Sequence, residues 1–207
     1  MLTLAIECAT EACSVALFDG GDLVDGRYEV LGRGHAERLV PMIAELPDRG
    51  RAARILVSLG PGSFTGVRIG LAAARALGLA WGAKVVGYPT LALVAAMARS
   101  DGEKREATVC MAGGHGEWFV QDFDRSGVPA DDVVSLPPDE AAARAVHAMV
   151  AGSRAEELAS RLEGNHTAMA LLPDARRACL LPDAVLTGTL SPIYGRGPDA
   201  RLPEPRR

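Results

Sequence analysis

The chain has 207 residues, enough for one large domain or for two smaller lobes with cores of their own. Hydrophobic residues make up 48% and charged residues 23%, which excludes a disordered polar chain; aromatics are only 4%, so Ala, Leu and Val must build the core. A net charge of −4 argues against a chain that grips nucleic acid unaided, because phosphate binding relies on clustered Lys and Arg; if RNA is involved, another subunit is expected to hold it.

Leu2 to Cys8 reads as a strand that is apolar at most positions, Ala9-Thr10-Glu11-Ala12 as a turn, and Cys13 to Phe18 as a second strand. The apolar start lacks a basic n-region and a cleavage site, so no secretory signal is expected and the cytoplasm is the expected location. Asp19-Gly20-Gly21-Asp22 is a hairpin signal, and a third strand from Leu23 to Val30 completes a meander. Glu7 is a carboxylate near the end of a buried strand, just before a Thr-containing turn. An acid satisfied at the strand end is the commoner case; the functional reading is a metal- or phosphate-site acid. The four cysteines, Cys8, Cys13, Cys110 and Cys179, show no CxxC pairing, and three sit in apolar runs that mark buried, inert thiols.

Gly32-Arg33-Gly34 leads into a helix from about His35 to Leu46, with Leu39, Val40, Ile43 and Leu46 at helical spacing and a kink or a late start at Pro41. His35, alone at the helix entrance, reads as a capping or surface residue, and 47–54 as a polar, Arg-rich loop. Ile55 to Leu59 is a short buried strand that breaks on Gly60-Pro61-Gly62-Ser63-Phe64-Thr65-Gly66, and a helix from about Val67 to Trp81 follows. Strand, glycine loop and helix start aim backbone N–H groups and the helix dipole at one spot, the outline of an anion site. Three named motifs fail here, however. The Walker loop lacks its lysine, Gly60, Gly62 and Gly66 are one residue too widely spaced for the dinucleotide fingerprint, and Pro61 and Thr65 flank Ser63 where a nucleophile elbow needs glycines. A turn that packs a helix tightly on a strand explains the glycines equally well.

The helix over 67–81 has no polar face beyond Arg68 and Arg75, which also break the apolar stretch 67–83 too often for a membrane span. Gly70, Ala72, Ala73, Ala74, Ala76 and Gly78 would let a partner helix approach closely. Such a helix is either enclosed by its own chain or half of an interface, and the interface is the favoured reading. Lys84 to Tyr88 is another buried strand, Thr90 can cap a helix through Arg99, and the polar stretch Ser100 to Glu106 divides the chain into lobes 1–100 and 101–207. The second part offers strands at Ala107 to Ala112, Glu117 to Phe123, Val133-Val134 and Met149 to Gly152, with helices from Pro138 to His147, over 154–162, and from Pro173 to Cys179. The tail from Ser191 to Arg207 has no core-forming pattern and is expected to lie extended over another surface. Strand meanders followed by helices, appearing twice, predict an α/β duplicate: an actin-like (sugar kinase/Hsp70) two-lobe fold with mixed sheets flanked by helices.

Leu4-Ala5-Ile6-Glu7-Cys8-Ala9-Thr10-Glu11-Ala12-Cys13-Ser14-Val15-Ala16-Leu17 resembles the N-terminus of the TsaB family, and Gly60-Pro61-Gly62-Ser63-Phe64-Thr65-Gly66-Val67-Arg68-Ile69-Gly70 is similar to its most specific signature. His35 with Leu39-Val40-Pro41-Met42, Val86-Gly87-Tyr88-Pro89-Thr90-Leu91 and Pro192-Ile193-Tyr194-Gly195-Arg196-Gly197-Pro198-Asp199-Ala200 extend the resemblance over nearly the whole chain. The resemblance implies a non-catalytic scaffold or dimerization subunit of the bacterial machinery that makes N6-threonylcarbamoyladenosine at position 37 of tRNA. Its partners would be a TsaD-like subunit and a TsaE-like ATPase, with homodimers forming through similar surfaces and tRNA reached only through the complex. No cofactor is expected in this chain. ATP and metal would sit in partner subunits, with a nucleotide at the subunit junction as an option. The implied interface residues are Arg68, Ile69, Ala72, Ala73, Ala76 and Leu77, with Gly60 to Gly66 (Pro61, Gly62, Ser63, Phe64 and Thr65 between them) as a structural loop. Glu7 and Thr10 would be vestiges of the superfamily's phosphate site.

Two stretches depart from the family pattern. Glu7 stands where aspartate is usual, and Met111-Ala112-Gly113-Gly114-His115-Gly116-Glu117 replaces a stretch that commonly reads Asp-Ala-Arg-Arg-Gly-Glu. The rival is an active actin-fold ATPase or kinase, or a metal-dependent glycoprotease-like enzyme. The latter needs a His-x3-His pair, and His35, His115, His147 and His166 form none.

Overall fold

The computed structural model describes residues 1–99 and 105–195. Apolar runs buried at nearly every position of the first two strands, with a Gly20-Gly21 turn before the third, make the N-terminal stretch a meander of Leu2–Glu7 (β1), Ala12–Asp19 (β2) and Asp22–Val30 (β3). Helix His35–Ala44 (α1), strand Arg54–Ser58 (β4), helix Phe64–Trp81 (α2), strand Lys84–Tyr88 (β5) and helix Thr90–Ala98 (α3) follow. The second half repeats the plan with Ala107–Ala112 (β6), Trp118–Phe123 (β7), Val134–Leu136 (β8), Pro138–Arg144 (α4), Met149–Ala151 (β9), Ala155–Ala159 (α5) and Thr167–Met169 (β10). Short 3-10 turns at Ala175–Leu180 and Asp183–Val185 close the described fold.

The two five-stranded sheets run β3-β2-β1-β4-β5 and β8-β7-β6-β9-β10. In each, an antiparallel meander joins two parallel strands through the first strand of its half. One strand order arising twice is the duplicate that the sequence pattern predicts. The elements stack as layers. The helices α1 and α2 cover the outer face of the first sheet, where Leu4, Ile6, Val15, Leu39, Val57, Val67 and Leu71 form one core. Between the sheets, α3 is enclosed: Leu91, Leu93, Val94 and Ala95 meet Ala5, Phe18 and Tyr88 from one side and Val109, Phe119 and Phe123 from the other. A third core beneath α4 and α5 holds Val120, Val150 and Leu158 on the outer face of the second sheet.

The helix that its own chain encloses is α3, and α2 lies at the surface with one face on the first sheet. Several expectations are corrected. Thr90 does not cap α3; Pro89 takes that position, and the Thr90 hydroxyl bonds Ser58 Oγ at 2.6 Å. His35 is buried rather than on the surface, with Nε2 2.9 Å from the carbonyl oxygen of Thr10, and Gly34 is the residue at the helix cap. The helix expected through His147 ends at Arg144, that over 154–162 shortens to Ala155–Ala159, and that of 173–179 is a 3-10 turn. The strand Thr167–Met169 carries no sequence signal long enough to mark it. Most of the polar stretch 100–106 and all of the tail beyond Gly195 lie outside the described residues.

Candidate functional site

Duplication brings equivalent loops face to face. The β1–β2 turn supplies Ala9, Thr10 and Glu11 to one wall of a cleft of about 880 Å³, and the β6–β7 turn supplies Ala112, Gly113, Gly114 and His115 to the other. The loop after β4 contributes Gly62, Ser63 and Phe64, and the loop after β9 contributes Ser153. Clefts at the carboxyl ends of parallel strands are where α/β folds place ligands. Arg68, Phe119 and Tyr194 complete the mouth. Arg68 carries its guanidinium 3.4 Å above the Phe64 ring and donates to the Tyr194 hydroxyl at 3.1 Å. Its charge is therefore engaged with aromatic neighbours on one wall.

The glycine loop that outlines an anion site is occupied by the protein's own backbone. Ser63 N–H donates to the Ala9 carbonyl at 2.6 Å, Ser63 Oγ accepts from Gly66 N–H at 3.2 Å, and Val67 N–H bonds the Ser63 carbonyl. A Cβ on Gly66 would sit 2.0 Å from the Cys8 carbonyl oxygen, and one on Gly62 would sit 2.0 Å from that of Ala9. The glycines thus permit a backbone-on-backbone contact, and the carbonyls of the first hairpin face the positive end of α2. Gly60 accepts from Thr90 N–H at 2.8 Å, and Leu59 accepts from Ile193 N–H at 2.7 Å, tying the loop to α3 and to the tail.

Glu7 turns away from the cleft. It is 0% exposed; Oε1 accepts from Ala9 N–H at 2.7 Å, and the Tyr88 hydroxyl lies 3.3 Å from Oε2. Burial pushes its carboxyl up to about 7, against the opposing hydrogen bonds from Ala9 N–H, Ser58 and Tyr88. Of the two phosphate-site candidates, only Thr10 lines the cleft. The sole acid on the cleft wall among the described residues is Glu11, and no three His, Cys, Asp or Glu side chains among them stand together as metal ligands would.

Helix α2 divides into two faces. Gly66, Val67, Gly70, Leu71, Ala74 and Gly78 are buried against the first sheet. A Cβ on Gly78 would meet Val85 Cγ2 at 2.5 Å, so part of the small-residue stripe serves the chain's own helix-on-sheet packing rather than a partner. On the other face Arg68, Ala72 and Ala76 are exposed, with Ile69, Ala73 and Leu77 half-buried beside them. Leu79 is 88% exposed and Phe64 57%. Leu79 escaped the sequence reading because its neighbours Gly78 and Ala80 gave no contrast. Phe119, Ser153 and Tyr194 escaped because the cleft assembles residues from separate loops; the signal at Pro192-Ile193-Tyr194 was present but said nothing of what it touches. No helix among the described residues is long and apolar enough to cross a membrane.

Residues 29–194 match the family described as TsaD, tRNA N6-adenosine threonylcarbamoyltransferase. The protein of Escherichia coli named tRNA threonylcarbamoyladenosine biosynthesis protein TsaB is 38% identical over 135 residues, which cover 62% of this chain and 58% of that protein. The Haemophilus influenzae protein of the same name is 40% identical over 109 residues, covering 50% of this chain and 44% of its own. These matched stretches span about half the length of the two relatives. YeaZ from Pseudomonas aeruginosa superposes with a TM-score of 0.74 at 30% identity, covering 87% of this chain and 89% of that one, so the actin-like plan expected from the duplicated pattern is the fold observed. A profile match over most of the chain, together with a structural match over nearly the full length of both chains, places this protein in the TsaB (YeaZ) family, within the broader TsaD-like group.

Proposed function

We propose that the chain is a non-catalytic subunit of the machinery that installs N6-threonylcarbamoyladenosine at position 37 of tRNA, binding a TsaD-like subunit and supporting assembly with a TsaE-like ATPase. The observation that carries this reading is the exposed face of α2, where Ala72, Ala76 and Leu79 present apolar surface that the described chain leaves uncovered. Relatives named for threonylcarbamoyladenosine biosynthesis supply the pathway. In this reading α2 packs against a helix of the partner, and tRNA is held by the assembled complex, in keeping with the net negative charge. The same face would serve a homodimer when the partner is missing. ATP and metal then belong to the partner subunits or to the junction.

The test is reconstitution with a TsaD-like subunit, a TsaE-like ATPase and a TsaC-type synthase, with and without this chain, reading modified tRNA. Modification that proceeds equally well without the chain overturns the proposal.

The cleft favours a second reading, an active actin-fold ATPase or kinase, since about 880 Å³ could hold a nucleotide. Against it, Glu7 is spent inside the sheet and the glycine loop is filled by carbonyls. Calorimetric titration of the isolated chain with Mg-ATP separates the two: tight binding with turnover would support the enzyme.

A further inference from the structure

The β1–β2 register pairs Leu2 with Asp19 through to Glu7 with Ser14, and one more step sets Cys8 opposite Cys13. The side chains meet there, with Sγ atoms 3.6 Å apart and both residues buried. Sequence spacing hides the pair, because the motif that marks redox dithiols puts them three apart on a helix start, whereas a hairpin brings together residues either side of a four-residue turn. Directly opposed residues of an antiparallel pair have Cα atoms about 4.5–5.5 Å apart, inside the range that a disulfide spans without backbone rearrangement. Rotation about the two Cα–Cβ bonds is then enough to close the sulfurs to bonding distance.

We propose that Cys8 and Cys13 form a reversible dithiol–disulfide couple that hydrogen peroxide oxidises, a modification site beneath the turn that lines the cleft. The Cys13 thiolate attacks one peroxide oxygen; the O–O bond breaks, and the departing hydroxide takes up a proton as water. Cys13 is then a sulfenic acid. The Cys8 sulfur attacks the Cys13 sulfur, the S–O bond breaks, and a second water leaves with the Cys8 proton. The two thiols lose two electrons and two protons, and the peroxide is reduced to two waters. The roles follow from the pair's own hydrogen bond, which holds the Cys13 thiol below the usual thiol range and pushes Cys8 well above it. Cys110 differs: burial pushes its thiol up to about 12, and Cys179 is exposed.

The bond would tie the ends of the turn that lends Ala9 and Thr10 to the cleft and whose Cys8 and Ala9 carbonyls support the α2 loop. Both sulfurs lie beneath that turn, with Cys8 2% and Cys13 0% exposed, so only a small oxidant reaches them and oxidation is slow. The step is independent of what α2 docks against.

The test uses the full folded chain, treated with hydrogen peroxide, quenched in acid, unfolded and alkylated, then cut on the carboxyl side of glutamate. Cleavage after Glu11 separates the two cysteines, so their peptides stay together only if the bond has formed. The expected result is a Cys8–Cys13 linked pair lighter by two hydrogens, lost on treatment with dithiothreitol, while Cys110 stays alkylatable. In Cys8→Ser, Cys13 should stop at the sulfenic acid and take up dimedone. Oxidation of Cys179 with both Cys8 and Cys13 still fully alkylated would overturn the proposal, since it shows that a competent oxidant passed the pair by.

Discussion

Glu7 illustrates how far a single residue can be read. Its position near a strand end and its acid type are visible in the sequence; the direction of its carboxyl is not, because that depends on Tyr88 and Ser58 arriving from other strands. The consequence is measurable. A carboxyl raised from 4.5 to about 7 binds more protons in the folded state than in the unfolded one. Stability from this group is therefore fully retained below the unfolded value and lost as pH rises through the folded value. A shift of that size corresponds to roughly 3 kcal/mol. Glu7→Gln keeps an oxygen for Ala9 N–H and removes the titration. Urea unfolding should then show the parent losing on the order of 3 kcal/mol between about pH 5 and pH 8, with the variant nearly flat. Parallel pH profiles for the two proteins would mean that the carboxyl is not the source.

At the scale of the element, the two apolar helices take different places in the fold. Composition marks α2 as the conspicuous one, yet α3 is sealed between the sheets, and α2 buries one stripe and shows the other. The periodicity of a helix made of Ala, Gly and Leu carries little contrast, so which side faces the sheet is decided by what packs there. Gly66 against Cys8 and Gly78 against Val85 set that rotation. On the face left outside, Ala76→Glu is expected to change folding stability by no more than about 0.5 kcal/mol, the usual range for exposed positions, while abolishing co-purification with a TsaD-like subunit. Leu79→Asp should act likewise, since Leu79 is the most exposed large side chain of the helix. Circular dichroism beside the pull-down separates loss of docking from loss of fold, and an undisturbed complex with both variants would move the interface elsewhere.

Across the whole molecule, the segment from Thr187 to Gly195 returns to the first sheet and its loop. Thr187 and Gly87 exchange two backbone hydrogen bonds, Arg75 donates to the Leu190 carbonyl at 2.7 Å, and Ile193 bonds Leu59. Tyr194 meets Phe64 with ring centroids 5.8 Å apart. Ending the chain after Leu186 removes these contacts and should lower unfolding stability by on the order of 4 kcal/mol, at about 1 kcal/mol per net hydrogen bond, with the midpoint in urea shifted to match. An unchanged midpoint would show that the return segment only lies on the surface.

The sequence by itself determined the elements of the first half, the repeated strand-and-helix plan, and the family through motifs such as Gly60 to Gly70. Local propensity and short-range pattern suffice for these, because each signal lies within one stretch of chain. Only the tertiary structure decided that Glu7 faces inward, that the glycine loop is filled by the carbonyls of Cys8 and Ala9, which helix is enclosed, and that Cys8 meets Cys13. Each of those depends on contacts between segments that are far apart in sequence or paired across a turn, where packing and register, rather than residue type, select the partner.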